Sequence, residues 1–188
     1  LSLNDSPTRK PDSAASWWEA MSGHTLGSLA SLVRNLGSTC TVLQIAGDNL
    51  LAGSQEGVLV CWSVDSGAER WRIEDKGPVS DLVIDDGRVY ASASASLRAI
   101  DIGTGGVLWD RELEGASDYV QAWEGNIWAA SSVYEIEISD YTEATVWRFD
   151  KSGELQERWT EPERPWYFGL HDDGGVLLGL GRPRCGFM

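Results

Sequence analysis

The sequence contains few of the residues that commonly build catalytic and metal sites. Its 188 residues include two histidines and three cysteines, and none of them has the spacing of a zinc site or forms a Cys-Cys pair. A Gly-x-Ser-x-Gly elbow and a phosphate-binding loop are also missing from the sequence. No apolar run approaches the ~20 residues that span a bilayer. We therefore assign no catalytic, cofactor-binding or metal-binding residue, expect no cofactor, and favour a non-enzymatic function.

Basic residues are also scarce. Lys and Arg number 15 against 29 Asp and Glu, which gives a formal net charge of -14. A nucleic-acid-binding protein relies on Lys and Arg to displace phosphate counterions, so this charge predicts no nucleic-acid partner. Cys40 and Cys61 lie in apolar, strand-like stretches, which favours buried free thiols at both positions. The cysteines leave the cellular compartment open.

Tryptophan, by contrast, is abundant, and its ten occurrences indicate a repeat. Equivalent positions recur 38 residues apart: the turn residues Asn49, Gly87 and Gly125, the apolar residues Leu51, Val89 and Ile127, the glycines Gly67 and Gly105, and the tryptophans Trp71 and Trp109. A fourth turn, at Gly174, follows Gly125 by 49 residues, so the third repeat carries about 11 extra residues. Four coincident anchors at one period are hard to obtain by chance.

Each repeat is predicted to contain four short strands. The predicted ranges are 41–45, 50–53, 58–62 and 68–73 in the first repeat, and 79–84, 89–92, 97–100 and 107–113 in the second. These runs are rich in Val, Ile, Leu, Trp and Tyr, and the breaks between them hold Asp, Gly, Ser and Asn. Four antiparallel strands in about 40 residues are typical of a propeller blade, whereas a sandwich gives no reason for a period. The sequence predicts an all-β fold, a partial β-propeller of about four blades.

The second repeat ends in a recognisable motif. Residues Ala99–Trp109 read AIDIGTGGVLW and follow DGRVY at Asp86–Tyr90. This pattern resembles the PQQ-like, or quinoprotein-type, propeller repeat. The first repeat matches it at Cys61–Gly67, with Ser63 in place of the usual Asp. WD40 propellers are the near alternative, because Trp62 and its neighbours resemble their Trp-Asp signature, but the second repeat lacks that signature.

The glycine and tryptophan that close each repeat are interpreted as structural. The glycine allows a tight turn between the two outer strands, and the tryptophan four residues later can lie flat between neighbouring blades. In the third repeat this spacing is two residues longer. The structural residues of the three repeats are Gly67 and Trp71, Gly105 and Trp109, and Gly153 and Trp159.

The chain is predicted to begin with a polar tail or linker at residues 1–16. Residues 17–37 read either as a helix or as the last strand of a preceding blade, with a strand favoured at Leu32–Arg34. We assign 17–188 to the partial propeller, with repeats at about 39–76, 77–115, 116–164 and an incomplete 165–188. The sequence starts with Leu and stops inside the fourth repeat, so we expect a fragment whose remaining blades are one potential partner.

The insertion in the third repeat is the main departure from regularity. It covers Tyr134–Ala144, reads YEIEISDYTEA, and predicts lengthened strands that project from the blade. Insertions in repeat proteins collect where function is added. The predicted partner-binding residues are Glu135, Glu137, Tyr141, Glu143, Trp166 and Tyr167.

The favoured function is a non-catalytic platform for a protein or ligand. One alternative is a fragment of a PQQ-dependent dehydrogenase. The resemblance implies PQQ and calcium in the propeller channel, but no position here matches the calcium ligands, the catalytic Asp or the vicinal disulfide of those enzymes. Another alternative is an envelope assembly scaffold, similar to the lipoprotein of the outer-membrane barrel machinery. That alternative predicts an upstream signal peptide with a lipidated Cys.

Overall fold

The computed structural model describes residues 33–75 and 77–180, together with the backbone of residues 186–187. The chain divides into two compact units, Leu1–Asn35 and Leu36–Met188, and the elements described below belong to the second. The predicted tail at 1–16 and most of the ambiguous segment 17–37 lie outside the described residues. The strand favoured at Leu32–Arg34 is not found at Val33 and Arg34, which have no regular structure; Val33 is 70% exposed and no strand pairs with it.

The strands of the second unit form four antiparallel sheets, here called blades 1 to 4. Blade 1 contains β1 (Cys40–Ala46), β2 (Asn49–Ser54), β3 (Val58–Ser63) and β4 (Glu69–Glu74). Blade 2 contains β5 (Val79–Asp85), β6 (Arg88–Ala93), β7 (Ser96–Asp101) and β8 (Val107–Glu112). Blade 3 contains β9 (Ala116–Trp123), β10 (Asn126–Glu135), β11 (Asp140–Asp150) and β12 (Leu155–Glu161). Blade 4 contains β13 (Pro165–Leu170), β14 (Val176–Leu180) and β15 (Gly186–Phe187).

Strands within a blade pair in sequence order, as expected for a propeller. All eight strands predicted for blades 1 and 2 are present, with ends that differ by one residue or so. The predicted fold class, an all-β partial propeller of about four blades, is therefore confirmed.

The register of blade 1 differs by one residue from the spacing read in the sequence. Asn49 pairs with Ala46, and it is Arg88 that pairs with the equivalent Asp85. The first two strands of blades 1 and 2 are thus 39 residues apart, while the third strands, at Val58 and Ser96, are 38 apart. The difference arises because the turn between β2 and β3 has one more residue than the turn between β6 and β7.

Successive blades pack face to face through apolar side chains. The core between blades 1 and 2 includes Leu51, Leu59, Cys61, Leu82, Val89 and Ile100. The core between blades 2 and 3 includes Tyr90, Leu97, Val120, Ile127 and Phe149. Cys61 is buried as predicted, and burial raises the pKa of its thiol. The same prediction for Cys40 is wrong, because this residue begins the first strand of blade 1 and is exposed.

Side chains also tie the first strands of neighbouring blades together. The Gln44 side-chain amide donates to the Leu82 carbonyl over 2.7 Å. The Val120 backbone N–H donates to the Asp81 carboxylate over 3.0 Å. Burial raises the pKa of Asp81, and this backbone bond opposes the rise by stabilising the charged form. These contacts hold the first strands, β1, β5 and β9, side by side.

The tryptophans near the ends of blades 1 and 2 lie against the turn glycine of the next blade. The Trp71 indole N–H donates to the Ile102 carbonyl over 2.8 Å, and a Cβ added to Gly105 would lie 2.7 Å from Trp71 Cγ. Trp109 repeats the arrangement: its indole N–H donates to the Lys151 carbonyl over 3.0 Å, and a Cβ on Gly153 would lie 2.7 Å from its ring. Both glycines have positive φ, so they permit the turn as well as the close approach.

The other two structural residues predicted from the repeat have different surroundings. Gly67, with a φ of 67°, donates its N–H to the Ser63 carbonyl in the outer turn of blade 1. Trp159 is half-buried in the core between blades 3 and 4, where its ring lies 5.9 Å from that of Trp128 in an edge-to-face arrangement.

Candidate functional site

A long hairpin distinguishes blade 3 from blades 1 and 2. Pairing between β9 and β10 ends where Ala116 meets Ser132, and pairing between β11 and β12 ends where Ala144 meets Glu161. Residues 133–143 therefore continue as a two-stranded ribbon beyond the four-stranded sheet, closed by a turn at 136–139. We call residues 133–143 the blade 3 hairpin. It corresponds to the insertion that the sequence predicted.

One face of the hairpin is acidic and is directed to the blade 2 side. Side chains alternate along a strand, and directly paired residues share a face. Ile127 and Ala129 pack in the core with blade 2, so alternation places Val133 and Glu135 on that side of β10. Glu143 pairs with Val133 and shares the same face.

The opposite face is aromatic and is directed to the blade 4 side. Trp128 and Ala130 pack in the core with blade 4, and alternation along β10 places Tyr134 on that side. Tyr134 pairs with Tyr141, and their rings meet edge to face with centroids 5.1 Å apart.

Arg164 connects this aromatic face to the body of the propeller. Its guanidinium donates to the Tyr141 hydroxyl over 2.7 Å and forms a 2.6 Å ion pair with Asp118 on β9. It also lies 4.4 Å from the ring centroid of Tyr141 and 5.2 Å from that of Trp166. The Ser132 hydroxyl donates to the second carboxylate oxygen of Asp118. We call these five residues the Arg164 cluster.

The cluster contains a deeply buried carboxylate. The Asp118 side chain is 6% exposed, and burial raises its pKa, while the Ser132 hydroxyl and the Arg164 guanidinium oppose that rise. A buried charge that loses its partner is strongly destabilising. The pair therefore fixes Arg164, and Arg164 in turn supports Tyr141 and Trp166.

Large apolar side chains are exposed around the hairpin tip. Tyr134 is 50% exposed, Ile136 83%, Ile138 60% and Trp166 62%. Scattered apolar residues are normal on a surface, but a contiguous exposed patch marks an interaction site. The tip and the neighbouring Trp166 are therefore the candidate interaction surface.

The six predicted partner-binding residues do not lie on one surface. Tyr141 and Trp166 are brought together by Arg164, whereas Glu135 and Glu143 lie on the opposite face of the hairpin and Glu137 lies in its terminal turn. Tyr167 adjoins Phe168, which packs in the core with blade 3. By strand alternation, Tyr167 is directed away from that core, and it is 54% exposed.

The sequence reasoning missed Arg164, Asp118 and Ser132. Asp118 and Arg164 are 46 residues apart, and no local pattern links them. The available signal was a basic residue placed just before the exposed aromatic pair Trp166-Tyr167.

Within the ranges that the structure describes, no three His, Cys, Asp or Glu side chains are placed to hold a metal ion. In that same part of the chain, no helix has the length and apolar character to cross a membrane.

Four successive antiparallel sheets, packed through their faces and tied by their first strands, define the chain as a β-propeller protein. Residues 11–126, well over half of the chain, match the family described as outer membrane protein assembly factor BamB, and the chain belongs to this family. The match confirms the PQQ-like resemblance. No curated protein matches the sequence significantly.

Solved structures share the fold at low sequence identity. The computationally designed protein Ika4 has a TM-score of 0.70 at 15% identity, covering 84% of this chain and 93% of its own. BamB from Moraxella catarrhalis has a TM-score of 0.56 at 17% identity, covering 85% of this chain and 48% of its own. The Pan2 WD40 domain of Neurospora crassa has a TM-score of 0.59 at 12% identity, covering 76% and 44%. The chain thus spans about half the length of these two natural proteins, and WD40 domains share its fold.

Proposed function

We propose that this propeller is a non-catalytic scaffold that binds a protein partner through the tip of the blade 3 hairpin and Trp166. The observation that carries the proposal is the exposed apolar surface at the tip, where Ile136 and Ile138 are 83% and 60% exposed. Contacts of this kind gain free energy when they leave water. A soluble acidic protein has no evident reason to expose such a surface on a projecting ribbon unless a partner covers it.

The support beneath the tip favours binding over a merely decorated loop. Arg164 holds Tyr141 by a hydrogen bond and a stacked contact, and Asp118 fixes Arg164. A surface that is already ordered loses less conformational entropy when a partner binds. The Arg164 cluster therefore lowers the cost of association at Tyr134, Tyr141 and Trp166.

A second, narrower proposal is a role in the assembly of outer-membrane proteins. It rests on the family match, whose description is an outer membrane protein assembly factor. On this proposal the partner at the hairpin tip is an envelope protein or a component of an assembly machinery. Fold alone does not assign a function, so the identity of the captured partner decides between this role and a general scaffold.

Site-specific photo-crosslinking tests both proposals. A photoreactive amino acid replaces Ile136 at the tip or, as a control, Glu56 in the short turn between β2 and β3 of blade 1. We expect a discrete adduct from position 136, and none from position 56, in extracts of the cells from which the sequence comes. Identical adducts from both positions, or none from position 136, would contradict a binding site at the tip. An adduct with a protein unrelated to the envelope would contradict only the second proposal.

A further inference from the structure

A groove separates blades 2 and 3 and is lined by residues of both. Its volume is about 840 Å³, and its lining includes Pro78 and Ala95 from blade 2 and Ala116, Trp147 and Arg158 from blade 3. This volume lies within the range of sites that hold small ligands or the side chains of a bound peptide. The groove is distinct from the aromatic face of the hairpin, which is directed to blade 4.

The charge of the groove is negative after its internal pair is counted. Arg158 forms a 2.8 Å ion pair with Glu114, and its guanidinium lies 5.2 Å from the ring centroid of Trp147. Its positive charge is therefore already neutralised within the groove. Glu112 also lines the groove, is exposed, and has no ion-pair partner among the described residues.

The acidic face of the hairpin adds charge to the same side of blade 3. Glu143 and Trp147 are four residues apart on β11, so they share a face, with Glu143 about 13 Å nearer the hairpin tip at ~3.3 Å per residue. Glu135 lies on the same side through the pairing of Val133 with Glu143. Neither glutamate forms an ion pair with another described residue, whereas acidic residues such as Asp48 and Asp110 pair with arginines.

We propose that this groove binds an extended peptide segment that carries Lys or Arg side chains. The aliphatic stem of one such side chain would lie along Pro78, Ala95 and Ala116, and its charged group would meet Glu112. The next basic side chain on the same face of the segment would meet Glu143 or Glu135. The sign of the charge disfavours an anionic occupant such as a nucleic acid. The length of the surface, from the groove to the hairpin, favours a peptide over a small cation.

Fluorescence anisotropy with a labelled peptide tests the proposal on the 188-residue chain. The probe is a six-residue peptide of alternating Lys and Val, and the matched probe has Glu in place of Lys. We expect saturable binding of the Lys peptide, and weaker binding as salt is raised. The variant E112K/E143K should weaken binding at least tenfold. The variant Ala95→Trp should do so too, because it fills the groove without changing the charge.

The control variant E56K/D65K changes the net charge by the same amount at exposed positions of blade 1, and we expect less than a twofold effect. Equal weakening by the control would overturn the proposal in favour of long-range attraction to an acidic protein. Equal binding of the Glu peptide, full binding by Ala95→Trp, or no saturable binding at millimolar peptide would each overturn it too. Circular dichroism verifies that the variants fold. If Ala95→Trp does not, the two exposed charge-reversal variants decide the matter. None of these outcomes alters the crosslinking result at Ile136, so the two proposals fail separately.

Discussion

A pair of glycine substitutions in blade 2 tests how neighbouring blades are held together. Gly105 and Gly87 have nearly the same backbone conformation, with φ of +74° and +73°. A Cβ on Gly105 would lie 2.7 Å from Trp71 Cγ, whereas a Cβ on Gly87 would have nothing within 4 Å. Gly105→Ala and Gly87→Ala therefore introduce the same backbone strain, but only the first pushes against the tryptophan of the preceding blade.

The expected magnitudes follow from these two contributions. A non-glycine residue in the left-handed region costs about 1–2 kcal/mol, and this cost is common to both variants. Overpacking a well-filled contact costs about 1–3 kcal/mol more. We therefore expect the free energy of unfolding to fall by about 1–2 kcal/mol for Gly87→Ala and by about 2–5 kcal/mol for Gly105→Ala.

Urea unfolding followed by far-ultraviolet circular dichroism measures the difference. The midpoint should shift further for Gly105→Ala while the slope stays the same, because the slope reports the surface exposed on unfolding. Equal destabilisation by the two variants would refute the reasoning. It would mean that Trp71 does not rest on the turn glycine of the next blade, and the structural interpretation of the 38-residue repeat would lose its basis.

Three further predictions concern tryptophan, the buried aspartate and the arginine that pairs with it. Trp109→Ala should lower the free energy of unfolding by roughly 3–5 kcal/mol, whereas Trp166→Ala, at a 62% exposed position, should change it by about 0.5 kcal/mol or less; similar losses in urea would contradict the different placement of the two rings. Because the pKa of Asp118 is raised in the folded protein above its ordinary 3.8, its contribution to stability is fully present below pH 3.8 and declines as the pH rises through the folded pKa. The stability of the wild type relative to Asp118→Asn should therefore fall with rising pH in urea titrations, and a rise would contradict the burial argument. Arg164→Ala leaves Asp118 buried without its cation and should cost about 3–5 kcal/mol; it should also speed amide hydrogen exchange in residues 133–143, and unchanged exchange there would show that Arg164 does not hold the hairpin.

The blades could be predicted from the sequence because local patterns determine them. Short apolar runs, turn residues at a fixed spacing and the Gly–Trp pairs at Gly67–Trp71 and Gly105–Trp109 each describe one blade at a time. The one-residue shift in blade 1 could not be predicted in the same way. It depends on a single extra residue in the turn between β2 and β3, which the regular anchors on either side conceal.

The hairpin was predicted, but the directions of its side chains were not. Tyr141 and Glu143 are two residues apart and would share a face of a regular strand. An irregularity in the pairing opposite Val133 and Tyr134 places them on opposite faces. The Arg164 cluster was beyond reach for another reason, since it joins residues of blades 3 and 4 that are distant in sequence.

Replacement of the hairpin tests most directly the claim that this propeller binds its partner there. A variant that joins Ser132 to Ala144 through an Asn-Gly turn gives blade 3 the short connection that blade 2 already has. We measure retention of the partner identified by crosslinking at Ile136, using immobilised wild type, this variant and E56K/D65K, with circular dichroism to verify the fold. The account predicts that the wild type and E56K/D65K retain the partner and that the folded hairpin variant does not. Full retention by the hairpin variant would contradict the account.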